Sequence, residues 1–385
     1  MPARTVPPFR ADHVGSFLRP ARLRAARADH AAGKISAGQL RAVEDDAVRE
    51  VVTLQQQAGL RSVTDGEFRR ATWHMDFVYQ IGGISKVPGN LLSTFHNDQG
   101  DITYTPDAIR VTRKLSMDKT IFGDHFAFLQ SVAGDTVPTR GDAPRVPLVP
   151  KLTIPAPSMV HYRSGIRAVA DESVYPEPEE FWSDLGAAYN EETRRLAAQG
   201  CRYLQLDDTS LAYVNDPAQR AYVAGRGEDA EHIHERYIAL TNAAVAGRPA
   251  DMAVTTHLCR GNFQSSWVAS GGYDFVAEAL FNGLDVDGFF LEYDDERSGG
   301  FEPLRFVPKG KQVVLGLVTT KRPELESGDD LKRRIDDAAK YVPLDQLCLS
   351  GQCGFASTEQ GNALTADDQK AKLELIVETA AEVWG

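Results

Sequence analysis

Short apolar runs alternate with long amphipathic stretches along most of this chain. Strand-like runs occur near 11–17, 61–65, 150–154, 202–207, 252–257, 287–292, 312–318 and 346–350. These short apolar patterns read as strands. Between them, helical periodicity runs near 36–59, 178–199, 228–247, 271–283, 328–341 and 365–383, and some of these stretches open on Ser or Asp as an N-cap should. Repeated strand-helix units of this number predict an α/β fold closed into a (β/α)8 TIM barrel.

The stretch 81–149 departs from that rhythm. It is rich in Gly, Pro, Thr and Asp, with short alternating runs such as Asp101-Ile-Thr-Tyr-Thr and Ala108-Ile-Arg-Val-Thr. It reads as a β-hairpin insertion after the second strand, at the rim or in a homodimer contact. No repeat, low-complexity segment or linker divides the chain, so 1–385 is expected to be one domain.

Composition narrows the function classes. With 42% hydrophobic residues, a chain of 385 residues has ample material for a core. The formal charge of -12 and the lack of a basic tract remove the electrostatic attraction that nucleic acid or an anionic membrane would need. No run reaches the length of a membrane span and the N-terminus has no apolar leader, so a cytoplasmic protein is expected. Four scattered cysteines do not make a disulfide scaffold. Cys201 and Cys348 sit inside strand-like runs and read as small buried apolar groups.

The chemistry lies at strand ends. His257 and Cys259 stand in Thr-Thr-His-Leu-Cys-Arg, Glu292 in Phe-Phe-Leu-Glu-Tyr-Asp, and Cys353 in Ser-Gly-Gln-Cys-Gly-Phe. Each follows an apolar run, where a barrel gathers its active site. Two thiolates, an imidazole and a carboxylate suit Zn2+ better than the oxygen-seeking Mg2+ or Ca2+. Glu292 is the expected exchangeable ligand and hence a catalytic residue, because a carboxylate leaves zinc more readily than a thiolate. Glu67 and Asp207 are strand-end carboxylates suited to an ammonium group. Ser16, after Gly15, offers a hydroxyl and an amide to a carboxylate. Asp208, next to Asp207, points to the other face and has a supporting role.

Other polar residues carry weaker signals. His13 reads as a satisfied strand histidine. Trp73, His74 and Asp76 follow Asp-Gly-Glu-Phe-Arg-Arg and are candidates to wall a second substrate site. His232 and His234 read as a helix surface, and Arg260 as a partner for an anionic ligand or for local acids.

Taken in order, Val14-Gly15-Ser16-Phe17, Asp65-Gly66-Glu67, Leu204-Gln205-Leu206-Asp207-Asp208, His257-Leu258-Cys259 and Cys353-Gly354 resemble the catalytic C-terminal barrel of cobalamin-independent methionine synthase, and more closely its short single-barrel relatives. The resemblance spans nearly the whole chain. It implies a zinc-dependent transfer of a methyl group to homocysteine, with zinc on His257, Cys259, Glu292 and Cys353 and homocysteine on Ser16, Glu67 and Asp207. Two departures concern the donor. No counterpart of the long enzyme's N-terminal domain is expected, and Lys321 in Gly316-Leu-Val-Thr-Thr-Lys-Arg-Pro stands where the family carries a donor-side histidine. The expected partners are therefore a small thiol and a folate, corrinoid or sulfonium methyl donor, with Lys321 a catalytic candidate on the donor side. Rival readings are a thiol alkyltransferase that opens an epoxide, a metal-free decarboxylase-like barrel, and a non-enzymatic zinc protein.

Overall fold

The computed structural model describes residues 4–89, 93–97, 99–105, 107–134 and 147–385. In chain order its strands are β1 (Ser62–Val63), β2 (Gly82–Val87), β3 (Ser93–Asn97), β4 (Gly100–Tyr104), β5 (Ala108–Ser116), β6 (Val149–Pro150), β7 (Leu152–Pro155), β8 (Tyr203–Asp208), β9 (Ala253–Leu258), β10 (Gly288–Glu292), β11 (Gln312–Val318) and β12 (Leu347–Gly351). β7 to β12 form one parallel sheet in sequence order. Ahead of it, β1 pairs in parallel with β6, which runs on into β7. The segment at 10–12 completes the ring: Ala11 bridges Leu349 in parallel, and the Asp12 amide donates to the Leu349 carbonyl at 3.0 Å. On the other side of that segment, the Phe17 amide donates to the Gly66 carbonyl and Thr64 Oγ1 to the Gly15 carbonyl. These residues form the (β/α)8 barrel that the alternation predicts.

The outer helices follow their sequence signals. Ala37–Ala58 opens on a capping box between Ser36 and Gln39 and ends at a left-handed Gly59. Its buried Ala47, Val48, Val51 and Val52 pack with Leu60, Val63 and Leu373. The last helix, Ala366–Trp384, has a second capping box, Thr365 with Asp368. No described helix is long and apolar enough to cross a membrane.

The insertion is more elaborate than one hairpin. β2 pairs antiparallel with β5, and β3 with β4 nested between them, so paired strands occupy only 82–116. Gly123–Ala133 is a helix with buried Phe126 and Leu129, packed near β6 and the helix Ala37–Ala58. The nested hairpin lies over the barrel mouth. His96 and Trp267 exchange both backbone hydrogen bonds, and the rings of Phe95 and Tyr104 pack on Phe263.

Candidate metal centre and substrate cavity

Strand register brings the four candidate ligands together. Asp207 on β8 pairs with His257 on β9, which pairs with Phe290 on β10, two residues before Glu292. Cys259 follows β9, held by its amide to the Asp208 carbonyl at 2.8 Å, and Cys353 follows β12. All four are buried, and one ligand atom from each lies within 4.8 Å of the others. The two Sγ atoms are 3.6 Å apart.

The donor set fits a metal cation on its own chemistry. Glu292 is 1% exposed and neither of its carboxylate oxygens has a hydrogen-bond partner. A bare carboxylate so deeply buried is costly unless a cation faces it. Its backbone is fixed instead: the Glu292 amide donates to Tyr273 Oη at 2.9 Å, and Arg260 Nη1 donates to the Glu292 carbonyl at 2.9 Å. Cys259 and Cys353 share one hydrogen bond, which pushes the Cys259 thiol up and holds Cys353 below its usual range. Against the burial that would lower it, the bond to Asp207 and the Cys353 and Glu292 charges raise His257 to about 9. Its Nδ1 lies 3.3 Å from Asp207 Oδ1, and its Nε2 lies 3.1 Å from the Gln352 carbonyl oxygen.

Beside the cluster opens a cavity of about 740 Å3, including its solvent-open mouth. Ser16, Glu67, Asp207, His257, Cys259 and Cys353 all line it. Glu67 adopts a left-handed φ of 60° after Gly66, and this turns its side chain inward. Its Oε1 accepts from Thr153 Oγ1 at 2.8 Å and lies 3.5 Å from Arg70 Nη1, while Oε2 is buried without a partner. Burial, opposed by Arg70 and reinforced by Asp207, raises the Glu67 carboxyl to about 7. Gln205 Nε2 donates to Asp207 Oδ1 at 2.7 Å. Ser16 Oγ accepts from the Ala356 amide at 3.3 Å.

Several residues lie elsewhere than the sequence suggested. Lys321 does not line the cavity, and its Nζ is held 3.4 Å from Asp294 Oδ2 in a buried ion pair. The donor-facing position expected for it is therefore corrected, because Asp294, just beyond β10, captures the ammonium. Arg260 forms no ion pair with an acid among the described residues: its guanidinium donates to Tyr273 Oη and to the carbonyls of Glu292 and Gly271. Asp76 braces a turn, accepting from the Ala71 and Thr72 amides, whereas Trp73 and His74 do line the cavity. His234 is buried against Phe275 and is not on a helix surface, while His232 is exposed and pairs with Asp229. His13 lies 3.2 Å from the Ser62 carbonyl oxygen, Asp208 accepts from Ser158 and Ser210, and Cys201 and Cys348 are buried away from the cluster. Arg163, which carries no sequence signal, is the one Lys or Arg among the described residues lining the cavity. A single guanidinium is a poor match to the many carboxylates of a tetrapyrrole.

The barrel and its four-ligand cluster define an α/β enzyme with a metal-capable centre at the C-terminal ends of its strands. Residues 155–382 match the family model described as the cobalamin-independent synthase catalytic domain, and the chain belongs to that family of methyltransferases. It is 45% identical over 382 residues to the uncharacterized protein YxjG of Bacillus subtilis, covering 99% of this chain and 96% of the relative. A methionine synthase of Pyrococcus abyssi is 24% identical over 349 residues, covering 89% of this chain and 85% of the relative. Among solved structures, a putative vitamin-B12 independent methionine synthase from Listeria monocytogenes superposes with a TM-score of 0.77 at 35% identity, covering 99% of this chain and 100% of that one.

Proposed function

We propose that the protein is a zinc-dependent S-methyltransferase whose acceptor is homocysteine or a similar small amino-acid thiol. The observation that carries this reading is the buried, unpartnered Glu292 carboxylate beside two cysteines and a histidine. Zinc suits that set, and when bound it supplies positive charge that favours a thiolate over a thiol at neutral pH. His257, Cys259, Glu292 and Cys353 would hold it, with Glu292 the most readily exchanged.

The rest of the acceptor site follows from the chain's own groups. Glu67 presents a free buried oxygen and Asp207 a second carboxylate to the cavity, and together they would bind the acceptor's ammonium group. The Ser16 hydroxyl would donate to its carboxylate. Held at both ends, the acceptor has little freedom left for its sulfur, and such orientation contributes part of the roughly 7–11 kcal/mol that proximity can supply. Asp207 would also keep the His257 ring in place through Nδ1. Lys321, behind Glu292 and Cys353, would act as a fixed buried charge paired to Asp294.

Incubation with homocysteine and a folate, a corrinoid or a sulfonium donor, with methionine followed by mass spectrometry, tests the proposal. Methionine should form with at least one donor, stop after chelation and return with zinc. Turnover unaffected by chelation, or no methionine with any donor, would contradict it.

A further inference from the structure

A buried cation stands behind the loop that carries Glu67. Arg19 is 5% exposed, does not line the cavity, and among the described residues forms no ion pair with a carboxylate. Every hydrogen bond of its guanidinium goes to a main-chain carbonyl. Nη2 donates to Glu67 at 3.0 Å and to Arg70 at 3.2 Å, while Nη1 donates to Thr358 at 3.2 Å, to Phe17 at 3.5 Å and to Ala356. Burial lowers Arg19 to about 10, against the opposing charge of Glu67, so the group stays a cation at neutral pH. A buried charge without a close counter-charge is costly, and the fold keeps this one for the carbonyls it gathers.

Those carbonyls belong to the two loops that build the acceptor site. Glu67 and Arg70 are the ends of one turn, closed by the Arg70 amide on the Glu67 carbonyl at 3.0 Å. Ala356 and Thr358 lie in the loop that begins at Cys353, and Phe17 follows Ser16. A planar, forked guanidinium reaches both loops from one side chain, with one nitrogen turned to each. A lysine would bring a single nitrogen to the same place.

Glu67 needs such a support. Its left-handed φ of 60° is unfavourable for a residue with a side chain, and it persists only where the surroundings impose it. The peptide is held on both sides: Asp65 Oδ1 accepts from the Glu67 amide at 2.9 Å, and Arg19 grips the Glu67 carbonyl. Relaxation of that backbone would swing the carboxylate away from the cavity.

We propose that Arg19 is a positioning residue of the acceptor site, gripping the Glu67 and Arg70 carbonyls with one nitrogen and the Ala356 and Thr358 carbonyls with the other, so that the ammonium-binding carboxylate is fixed relative to the loop of Cys353. It acts through the backbone of both loops and touches no substrate. The assignment rests on the reading that Glu67 binds the acceptor's ammonium group.

Arg19 also lines an outer groove of about 1020 Å3, open to solvent, together with Arg24, Phe68 and Gln369. A small cation added in solution can therefore reach the space that its side chain would vacate, which permits a chemical rescue. Homocysteine binding to the full-length zinc-loaded protein is titrated by calorimetry in Arg19→Ala and Arg19→Lys. Affinity should fall about tenfold or more in Arg19→Ala and less in Arg19→Lys, because the first loses every charge-assisted bond and the second keeps some. Zinc affinity, from competition with a chelating dye, should fall about threefold or more in Arg19→Ala as the Cys353 loop loosens. Millimolar methylguanidinium should recover both losses by about threefold or more, whereas urea, similar in shape but uncharged, should recover neither. A variant that is merely destabilised gains nothing from that cation. Homocysteine affinity unchanged in Arg19→Ala, or a loss that methylguanidinium does not repair, would overturn the assignment. Should Arg19→Ala not fold, Arg19→Gln decides by the same titration, and an affinity within about twofold of the unaltered protein would overturn it. Failure of the acceptor reading shows separately, as absent homocysteine binding to the unaltered protein.

Discussion

Gly354 packs so closely on Ser16 that a Cβ on it would meet the Ser16 hydroxyl oxygen, 3.0 Å from the Ser16 Cβ and 3.1 Å from its amide nitrogen. The contact ties the loop carrying Cys353 to the first strand position, across the seam where the barrel closes. Gly354→Ala must push one of them away. Zinc affinity, measured by competition with a chelating dye, should fall at least about tenfold, because ligands held loosely lose pre-organisation. Adding Ser16→Gly to Gly354→Ala removes the obstacle and should recover much of the loss. Additive effects would show that the contact does not position Cys353.

Tyr273 supports Glu292 from behind, through the hydroxyl that accepts from the Glu292 amide. Tyr273→Phe leaves that buried amide without its partner, at a cost of roughly 1–3 kcal/mol in urea unfolding. Zinc should bind more weakly as well, since the same hydroxyl accepts from Arg260, which grips the Glu292 carbonyl. Unfolding and zinc binding both unchanged would remove Tyr273 from this role.

What the sequence revealed and what it hid have physical causes. The clustering of the four candidate ligands was legible because each ends an apolar run, and a barrel gathers the ends of such runs whatever its loops do. The helix Gly123–Ala133 was not, since its N-cap Phe122 makes no side-chain capping bond. The seat of the nested hairpin depends on Phe95 and Tyr104 meeting Phe263, a contact between distant parts of the chain that no local periodicity records. Lys321 could be placed after its strand but not oriented, because its direction is set by Asp294 beyond the neighbouring strand. Arg163 left no trace, for one arginine in a loop looks like any other until it is found in the cavity wall.

The Lys321–Asp294 pair makes its own prediction. Lys321→Met strands a buried carboxylate and should lower stability by roughly 3–5 kcal/mol, whereas adding Asp294→Leu removes the stranded charge and should restore much of it. Thermal unfolding of the single and double variants checks this. A loss of donor binding at full stability would instead return Lys321 to the donor side.

Glu67 gives a pH signature. Its carboxyl is raised to about 7 by burial, so between about 4.5 and 7 the folded protein holds a proton that the unfolded chain has released. Its contribution to stability is present at low pH and is lost as pH rises through about 7, on the order of 3 kcal/mol in all. Glu67→Gln should flatten that part of the stability profile relative to the unaltered protein. An ammonium ligand favours the ionised form, so homocysteine binding at pH 6 should release a proton, detected by calorimetry in buffers of different ionisation enthalpy. Identical profiles for the two proteins would contradict the assignment.

The central claim is that His257, Cys259, Glu292 and Cys353 form a zinc centre, and native mass spectrometry of the purified protein tests it most directly. The account predicts one zinc per chain, lost in Cys259→Ser and in Cys353→Ser while circular dichroism shows the barrel intact, because a hydroxyl is a much poorer zinc ligand than a thiolate. Full zinc occupancy in both variants, or no zinc in the unaltered protein even after incubation with the metal, would contradict it.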